Sequence, residues 1–239
     1  MRDSLFENPM GDVGNFCFDA QVADVFADMI NRSVPGYATV VSICAVLARH
    51  FSTPGSGLYD LGCSLGATSY AMASQAADDC RVTAVDSSSP MLQRFRTILD
   101  ANPAACPIDL VEADICHVEI DHASMVALNY TLQFVAVSRR RALLDSIYRG
   151  LQPGGLLVLS EKICLDDPGV DQLFIDLHHD FKRAQGYSDL EISQKRDSID
   201  NVLIPETIDA HKQRLLAAGF SRVEIWFQCF NFVSLVAIK

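Results

Sequence analysis

The stretch LYDLGCSLGA, residues 58–67, constrains the fold of this chain more than any other segment. An apolar strand ends at Asp60, two glycines follow at 62 and 66, and a helical pattern begins directly after them. Glycines this close together allow a tight turn and a close approach of the backbone to a ligand. The spacing is Gly-x-x-x-Gly, because Ser64 stands where the full dinucleotide fingerprint has its middle glycine. By itself the pattern also fits a merely structural connection.

Three further polar residues fall where later strands of the predicted sheet end. Asp86 closes RVTAVD, Asp114 lies in EADI, and Asn129 lies in ALNYTLQF. The carboxyl ends of parallel strands meet at one edge of an open α/β sheet, and ligands bind there. Four polar strand ends at one edge therefore predict a nucleoside site, although Asp114 taken alone is more often a loop or helix-start acid.

The chemistry of a nucleoside suggests a role for each part of this predicted site. Asp86 should accept hydrogen bonds from the two ribose hydroxyls. The Asp114 carboxylate should take the exocyclic amine of adenine, while Ile115 covers the face of the ring. The turn at residues 62–64 should let backbone groups approach the sugar and the amino-acid portion of the ligand.

Strands alternate with helical segments from residue 57 to residue 161, which predicts a mostly parallel sheet with helices on both faces. We expect one domain over residues 1–239, with an N-terminal helical segment at 1–50 and a helical insertion or lid at 164–204. The tail after Gly219 predicts two antiparallel strands that close a seven-stranded sheet. Pro153–Gly155 is expected to separate the last crossover helix from its strand.

The charge of the chain limits its partners. Nineteen basic residues stand against 30 acidic ones, for a net charge of −11. Direct nucleic-acid binding is therefore not expected, and an anionic substrate needs its own Arg or Lys inside the site. The N-terminus has no signal-peptide core, no run reaches the roughly 20 apolar residues of a membrane span, and the eight cysteines form no C-x-x-C pair. We expect a reduced cytoplasmic protein that does not bind membranes.

A family resemblance rests on these motifs together. DLGCSLGA, AVD, EADI, LNYTLQF and LQPGGLLVLSEK resemble the class I S-adenosylmethionine-dependent methyltransferases, whose fold is Rossmann-like. RSVPGY (32–37), HHDFKRAQGYSDLEISQKR (178–196) and WFQCFNF (226–232) resemble, more narrowly, the carboxy-S-adenosyl-L-methionine synthases, and this likeness spans essentially the whole chain.

The resemblance implies a specific reaction. S-adenosyl-L-methionine and prephenate are the substrates, and carboxy-S-adenosyl-L-methionine and phenylpyruvate are the products. The carboxylated product serves a partner enzyme, a tRNA carboxymethyltransferase that builds the carboxymethoxy group on the wobble uridine. The resemblance also implies a homodimer and no metal cofactor.

The resemblance assigns cofactor contacts to ten positions: Tyr37, Gly62, Cys63, Ser64, Asp86, Ser87, Asp114, Ile115, Asn129 and Arg196. Ser87 departs from the asparagine that related sequences often carry there, but its hydroxyl or N–H could still bind. Arg196 is the expected catalytic residue, since a guanidinium binds a carboxylate bidentately. Without the resemblance, Arg196 would be assigned to a solvated helix face and Tyr37 to core packing.

Two other features suit ordinary structural roles. His178 and His179 are neighbours on a predicted helix and point about 100° apart, so they do not form a metal site. Asp60 could act as a base, but ordering the glycine turn through backbone N–H groups is the better interpretation.

Three alternatives to the synthase remain open. One is an ordinary small-molecule methyltransferase that uses the insertion as a substrate lid, and another is a non-catalytic nucleotide-binding module. A nicotinamide dehydrogenase is the least favoured, because Ser64 interrupts the fingerprint.

Overall fold

The computed structural model describes residues 1–11, 13–200 and 202–239. A seven-stranded sheet has the strand order β3-β2-β1-β4-β5-β7-β6. The strands are β1 (Gly57–Leu61), β2 (Arg81–Asp86), β3 (Ile108–Glu112), β4 (Ala123–Asn129), β5 (Leu151–Lys162), β6 (Arg222–Cys229) and β7 (Phe232–Ile238). Strands β1 to β5 pair in parallel, whereas β7 pairs antiparallel with both β5 and β6. The prediction of a mostly parallel sheet closed by an antiparallel hairpin is confirmed.

Eight α-helices accompany the sheet in the described residues. They are α1 (Ala20–Ser33), α2 (Tyr37–Phe51), α3 (Ala67–Ala73), α4 (Ser89–Ala101), α5 (Val137–Gly150), α6 (Pro168–Ala184), α7 (Asp189–Ile199) and α8 (Ile208–Ala218). Asp19 caps α1 by accepting a hydrogen bond from the Val22 N–H. Gly219 ends α8 with a φ of +113°, the left-handed conformation expected of a C-terminal glycine.

The central strands are buried on both faces, because helices cover each side of the sheet. All but the last residue of β4 are buried, and its sequence ASMVALN carries almost no polar side chain. On one face, Cys44 and Ala48 of α2 and Met72 of α3 pack on the sheet. On the opposite face, Leu144 of α5 and Leu215 of α8 belong to the largest apolar cluster.

One predicted boundary is wrong. β5 starts at Leu151, so Pro153–Gly155 lies inside the strand rather than before it. The pairing with β4 jumps there from Ala123↔Leu151 to Met125↔Leu156, which is an irregularity in the ladder. A bulge of this kind accommodates proline and glycine within a strand.

The chain between β5 and α8 folds as two helices, α6 and α7, at the site where the sequence predicts a helical insertion. The N-terminal segment lies against α7, where Gln194 donates to the Phe6 and Asn8 carbonyl oxygens at 2.9 and 3.0 Å. Farther along, the Phe16 N–H donates to the Ser198 carbonyl oxygen at 2.9 Å. The insertion and the N-terminal segment therefore form one cover over the sheet.

No single helix among the described residues is long and apolar enough to cross a membrane. Only α1 and α2 taken together meet that length and composition, and they are bent by 97° at the break between them.

Candidate functional site

A cavity of about 780 Å³ lies at the carboxyl ends of the central strands, beneath the cover. Its volume is typical of a small-molecule site, about 300–1,000 Å³. Nine of the ten residues that the sequence nominates line it: Tyr37, Gly62, Cys63, Ser64, Asp86, Ser87, Asp114, Ile115 and Asn129. The tenth, Arg196, does not. The three polar residues that the strand-end rule places at one edge of the sheet, Asp86, Asp114 and Asn129, therefore do line one cavity.

One part of this cavity, which we call the loop end, consists of residues 62–64, Asp86, Asp114 and Ile115. The Ser64 N–H donates to one oxygen of Asp86 at 2.8 Å, and the Ser88 N–H donates to the other at 2.9 Å. Burial raises the pKa of Asp86, and these backbone donors oppose that rise. Each carboxylate oxygen retains a lone pair, so Asp86 can accept from two ribose hydroxyls.

The glycines of the turn are required by conformation and by protein packing. Gly62 has a φ of +82°, and a Cβ built there would lie 2.3 Å from the Thr131 Oγ1. Gly66 has a φ of +81°, and a Cβ there would lie 1.9 Å from the ring of Phe95. Ser64, which replaces the middle glycine of the fingerprint, also takes a left-handed φ of +48°. The close approach at both glycines is thus to protein side chains, whereas the sequence predicts an approach to a ligand.

Asp114 has two structural contacts in addition to its place in the cavity. One oxygen accepts from the Cys116 N–H at 2.9 Å, and the other pairs with Arg139 at 2.9 Å. The Cys116 N–H is the largest cause that lowers the pKa of Asp114, and Arg139 adds to it. Arg139 lines the cavity too, and sequence reasoning missed it. Ile115, the next residue, is buried and also lines the cavity.

Asn129 lies at the cavity, but its side chain is engaged by the fold. Its Oδ1 accepts from the Ser160 hydroxyl at 2.7 Å, and its Nδ2 donates to the Thr68 Oγ1 at 3.2 Å. Tyr37 lies nearby, with its ring centroid 6.2 Å from that of Tyr130. Burial, with the Asp60 charge adding to it, raises the pKa of Tyr37, so the phenol stays protonated and can donate.

Two buried carboxylates support the strand ends. Asp60 accepts from the Ser69 hydroxyl at 2.5 Å, and burial raises its pKa to about 7. Its partners lie at the start of α3, so it orders the helix after the turn. Glu161 accepts from the Leu132 and Gln133 N–H groups at 2.9 and 2.8 Å, and burial raises its pKa to about 8. Glu161 thereby holds the chain that follows Asn129.

Another part of the cavity, the lysine end, consists of Lys162, Lys182, Lys195 and His178. Burial and the neighbouring lysines lower the pKa of Lys182 to about 7, and burial lowers that of Lys195 to about 8. Burial lowers the pKa of Lys162 as well. The sequence offered a signal only for Lys162, which ends β5 as Asp86 ends β2.

His178 is buried, and its Nε2 lies 2.7 Å from the Ser33 carbonyl oxygen. A carbonyl oxygen only accepts, so Nε2 carries the proton. Burial, followed by the charge of Lys182, lowers the pKa of His178 to about 2, which keeps the ring neutral. His179 has its ring centroid 6.4 Å from that of His178. Within the described residues, no group of three or more His, Cys, Asp or Glu is placed to hold a metal ion.

Arg196 lies on an exposed face of α7, where its Nε pairs with Asp200 at 3.3 Å and 58% of its side chain is exposed. This is the solvated helix face that the residues alone suggest. Its assigned contact with a ligand carboxylate stays a prediction.

The family described as "Methyltransferase domain" matches residues 58–155. Carboxy-S-adenosyl-L-methionine synthases of Escherichia coli strain UMN026 and Shigella boydii serotype 4 are each 52% identical over 239 residues, which is 100% of this chain and 97% of theirs.

Solved structures share the fold at lower identity. Human N-acetylserotonin methyltransferase in complex with S-adenosylmethionine has a TM-score of 0.62 at 19% identity, over 92% of this chain and 55% of its own. A cyclopropane synthase of Mycobacterium tuberculosis has a TM-score of 0.59 at 17% identity, over 79% of this chain and 62% of its own. The predicted Rossmann-like class I methyltransferase fold is confirmed.

Proposed function

This chain belongs to the carboxy-S-adenosyl-L-methionine synthase family of enzymes, and on that premise we propose that it converts S-adenosyl-L-methionine and prephenate into carboxy-S-adenosyl-L-methionine and phenylpyruvate. One observation about the cavity supports these two substrates. The same cavity combines carboxylates and backbone turns suited to a nucleoside with three lysines suited to an anion. An ordinary methyl acceptor does not need such a concentration of cations in a chain of net charge −11.

The loop end fits S-adenosyl-L-methionine as a substrate. Asp86 is positioned to bind the ribose hydroxyls, with its two oxygens held in place by backbone N–H groups. Ile115 offers an apolar surface to adenine beside Asp114. Tyr37 also lines the cavity and can donate its hydroxyl to the methionine portion. Contact between Arg196 and the new carboxyl group belongs to the proposal, and it requires the ion pair with Asp200 to open.

The proposed reaction balances without an external oxidant or base. The bond from the prephenate ring to its carboxylate breaks and releases carbon dioxide, while the ring hydroxyl leaves as hydroxide and the ring becomes aromatic. The hydroxide takes a proton from the sulfonium methyl group and becomes water. The electron pair left on that carbon forms the new bond to carbon dioxide. The products are phenylpyruvate, water and the carboxylated sulfonium.

The protein contributes positioning and the exclusion of water in this proposal. Three apolar residues of the cover lie at the cavity: Phe16 and Phe18 of the N-terminal segment and Ile199 of α7. Carbon dioxide that forms beneath apolar side chains meets the methyl carbon before bulk water does. No side chain is required as the general base, because the leaving hydroxide serves.

The biological setting is also part of the proposal. The product supplies a tRNA carboxymethyltransferase that completes the wobble uridine, and the enzyme works in the cytoplasm as a homodimer. The acidic surface argues that this chain leaves RNA contact to its partner.

Incubation of the purified enzyme with S-adenosyl-L-methionine and prephenate tests the proposal. Mass spectrometry should find a sulfonium heavier by one carbon dioxide, together with phenylpyruvate, and neither should form when prephenate is left out. Absence of the carboxylated sulfonium contradicts the proposal. S-adenosylhomocysteine formed on addition of a nucleophilic acceptor would favour an ordinary methyltransferase.

A further inference from the structure

The chain has five lysines, and three of them line one cavity: Lys162, Lys182 and Lys195. Lys162 lies at the carboxyl end of β5, whereas Lys182 and Lys195 come from α6 and α7 of the insertion. All three side chains line the same cavity, and the charges of Lys195 and Lys162 add to burial in lowering the pKa of Lys182. The fold thus concentrates positive charge in an otherwise acidic protein.

Only one of these lysines has an ionic partner among the described residues. Lys195 donates to the Ser33 hydroxyl at 3.0 Å and lies 3.6 Å from the carboxylate of Asp3. The ammonium groups of Lys162 and Lys182 have no hydrogen bond and no ion pair in the part of the chain that the structure describes. Neither ammonium nitrogen is among the described atoms that are fully buried without a partner, which fits groups that face the cavity.

The surroundings of Lys195 keep it in place. Asp3 is buried, accepts from the Tyr187 hydroxyl at 2.5 Å, and has its own N–H bonded to Asp28 at 2.7 Å. Ser33 is fixed in turn, because its carbonyl oxygen accepts from His178. Lys195 is therefore a positioned cation, while Lys162 and Lys182 are left available for a ligand.

A ligand that balances this arrangement carries two negative charges. Desolvated cations without counter-ions are costly, and mutual repulsion adds to the cost. One carboxylate would neutralise a single lysine, whereas a dicarboxylate can meet both Lys162 and Lys182. The charge of Asp200 raises the pKa of both Lys162 and Lys182, and that of Asp171 raises the pKa of Lys162, but neither acid forms an ion pair with these lysines among the described residues.

We infer that Lys162 and Lys182 form the carboxylate subsite for a dianionic dicarboxylate co-substrate, beside the fixed cation of Lys195. The assignment of prephenate as that dianion rests on the proposed function. The subsite itself rests on the placement of the three lysines. It selects a dicarboxylate over a monocarboxylate, so substrate is held better than the monoanionic product phenylpyruvate.

The test compares Lys162→Met and Lys182→Met with Lys212→Met, a matched control on α8 outside the cavity lining. Methionine keeps the length and apolar stem of lysine without its charge. We expect the KM for prephenate to rise about 30-fold in each cavity variant, because one charged hydrogen bond is lost. The Kd for S-adenosyl-L-methionine should stay within about twofold of the parent value.

A binding measurement separates this inference from the proposed function. Prephenate and phenylsuccinate, a stable dianion, are titrated by calorimetry into enzyme loaded with S-adenosylhomocysteine, which has no sulfonium methyl group. Lys182→Arg should bind within about fivefold of the parent protein, since it keeps the charge. Its fold and those of the methionine variants are checked by circular dichroism.

The outcomes differ for the two proposals. If the parent enzyme makes no carboxylated sulfonium but either dianion binds in a lysine-dependent way, the proposed function fails and the subsite stands. If the product forms with an unchanged KM for prephenate in both methionine variants, the subsite is wrong and the function stands. A rise in the Kd for S-adenosyl-L-methionine alone would assign the lysines to the carboxylate of that substrate and overturn the inference.

Discussion

The two ends of the cavity are built in different ways. The loop end uses residues at or just after strand ends, and Asp86 accepts from the backbone N–H groups of Ser88, two residues on, and of Ser64, which follows the neighbouring strand β1. The lysine end brings together a strand end and two helices of the insertion, and Lys195 depends on Asp3 at the opposite end of the chain. Adjacent strands of one sheet fix the first region, whereas packing of the insertion and the N-terminal segment fixes the second.

The difference has a consequence for function. The sheet that carries the loop end recurs in solved structures of the same fold at under 20% identity. A cluster assembled from an insertion can vary without disturbing the sheet. Substitutions in the insertion can therefore change what the lysine end binds while the strands behind the loop end stay in place.

The largest expected effect concerns Gly66, which ends the glycine turn next to the loop end and packs against Phe95. Gly66→Ala places a Cβ against the Phe95 ring at a φ of +81° and should destabilise the protein by about 3 kcal/mol. Gly154→Ala is the matched control, since its φ is +79° but no atom lies within 4 Å of a Cβ there. Gly154→Ala should lower the free energy of unfolding by only about 1 kcal/mol.

Thermal unfolding measures both glycine variants. We expect a fall in Tm of about 8 °C for Gly66→Ala and about 3 °C for Gly154→Ala. Equal falls in Tm for the two variants would mean that the left-handed backbone conformation alone determines the loss of stability, and that the Phe95 ring moves aside for the new Cβ.

The second prediction separates the two ends by ligand. Asp86→Asn keeps the shape of the side chain but removes its charge, so two charge-assisted hydrogen bonds to ribose weaken. We expect S-adenosyl-L-methionine to bind roughly 100-fold more weakly by calorimetry. Phenylsuccinate should bind as tightly as before, and Asp121→Asn, at the far end of the sheet, should change neither affinity. Loss of phenylsuccinate binding in Asp86→Asn would show that the two ends are not independent.

The third prediction concerns pH at the lysine end. The pKa of Lys182 is lowered to about 7, so the ammonium group loses its proton as the pH rises from 7 to 9. The charged and titratable groups around it are Lys162, Lys195, Arg196, Asp200, His178 and His179. The KM for prephenate should therefore rise about fivefold over this interval, because a neutral amine attracts a carboxylate weakly.

Lys182→Arg gives the control for that profile. Arginine keeps its charge throughout the interval, so the rise in KM should become markedly smaller. His178 stays neutral, since its pKa is lowered to about 2, and contributes no titration there. The same slope in parent and variant would assign the pH dependence to another group, with Lys195 as the first candidate because its pKa is lowered to about 8.

The smallest effect is expected at the rim of the loop end. Arg139 pairs with Asp114, but nearly half of its side chain is exposed, and such pairs contribute little. Arg139→Met should change the Kd for S-adenosyl-L-methionine less than about threefold. A larger loss, measured by the same calorimetry, would mean that Arg139 itself contacts the ligand. Tighter binding of S-adenosyl-L-methionine to Arg139→Met would mean that the ion pair between Arg139 and Asp114 competes with adenine for the Asp114 carboxylate.

Much of the fold followed from the sequence because its signals are local. Alternating strands and helices, the cap at Asp19 and the glycine at 219 each depend on a few neighbouring residues. Pro153–Gly155 misled the prediction, since a bulge within a strand and a break before it use the same residues. At the site, the strand-end rule placed Asp86, Asp114 and Asn129 at the cavity.

The sequence by itself determined the sheet, the glycine turn and the acids at its edge, because each strand carries its own end residue to a common edge. Tertiary structure alone decided what those residues face. In the folded chain, the Asn129 side chain accepts a hydrogen bond from Ser160, and Arg196 lies on an exposed helix face. Lys162 and Lys195, which are 33 residues apart in the chain, line the same cavity. Long-range packing sets such neighbours, and no short stretch of residues records them.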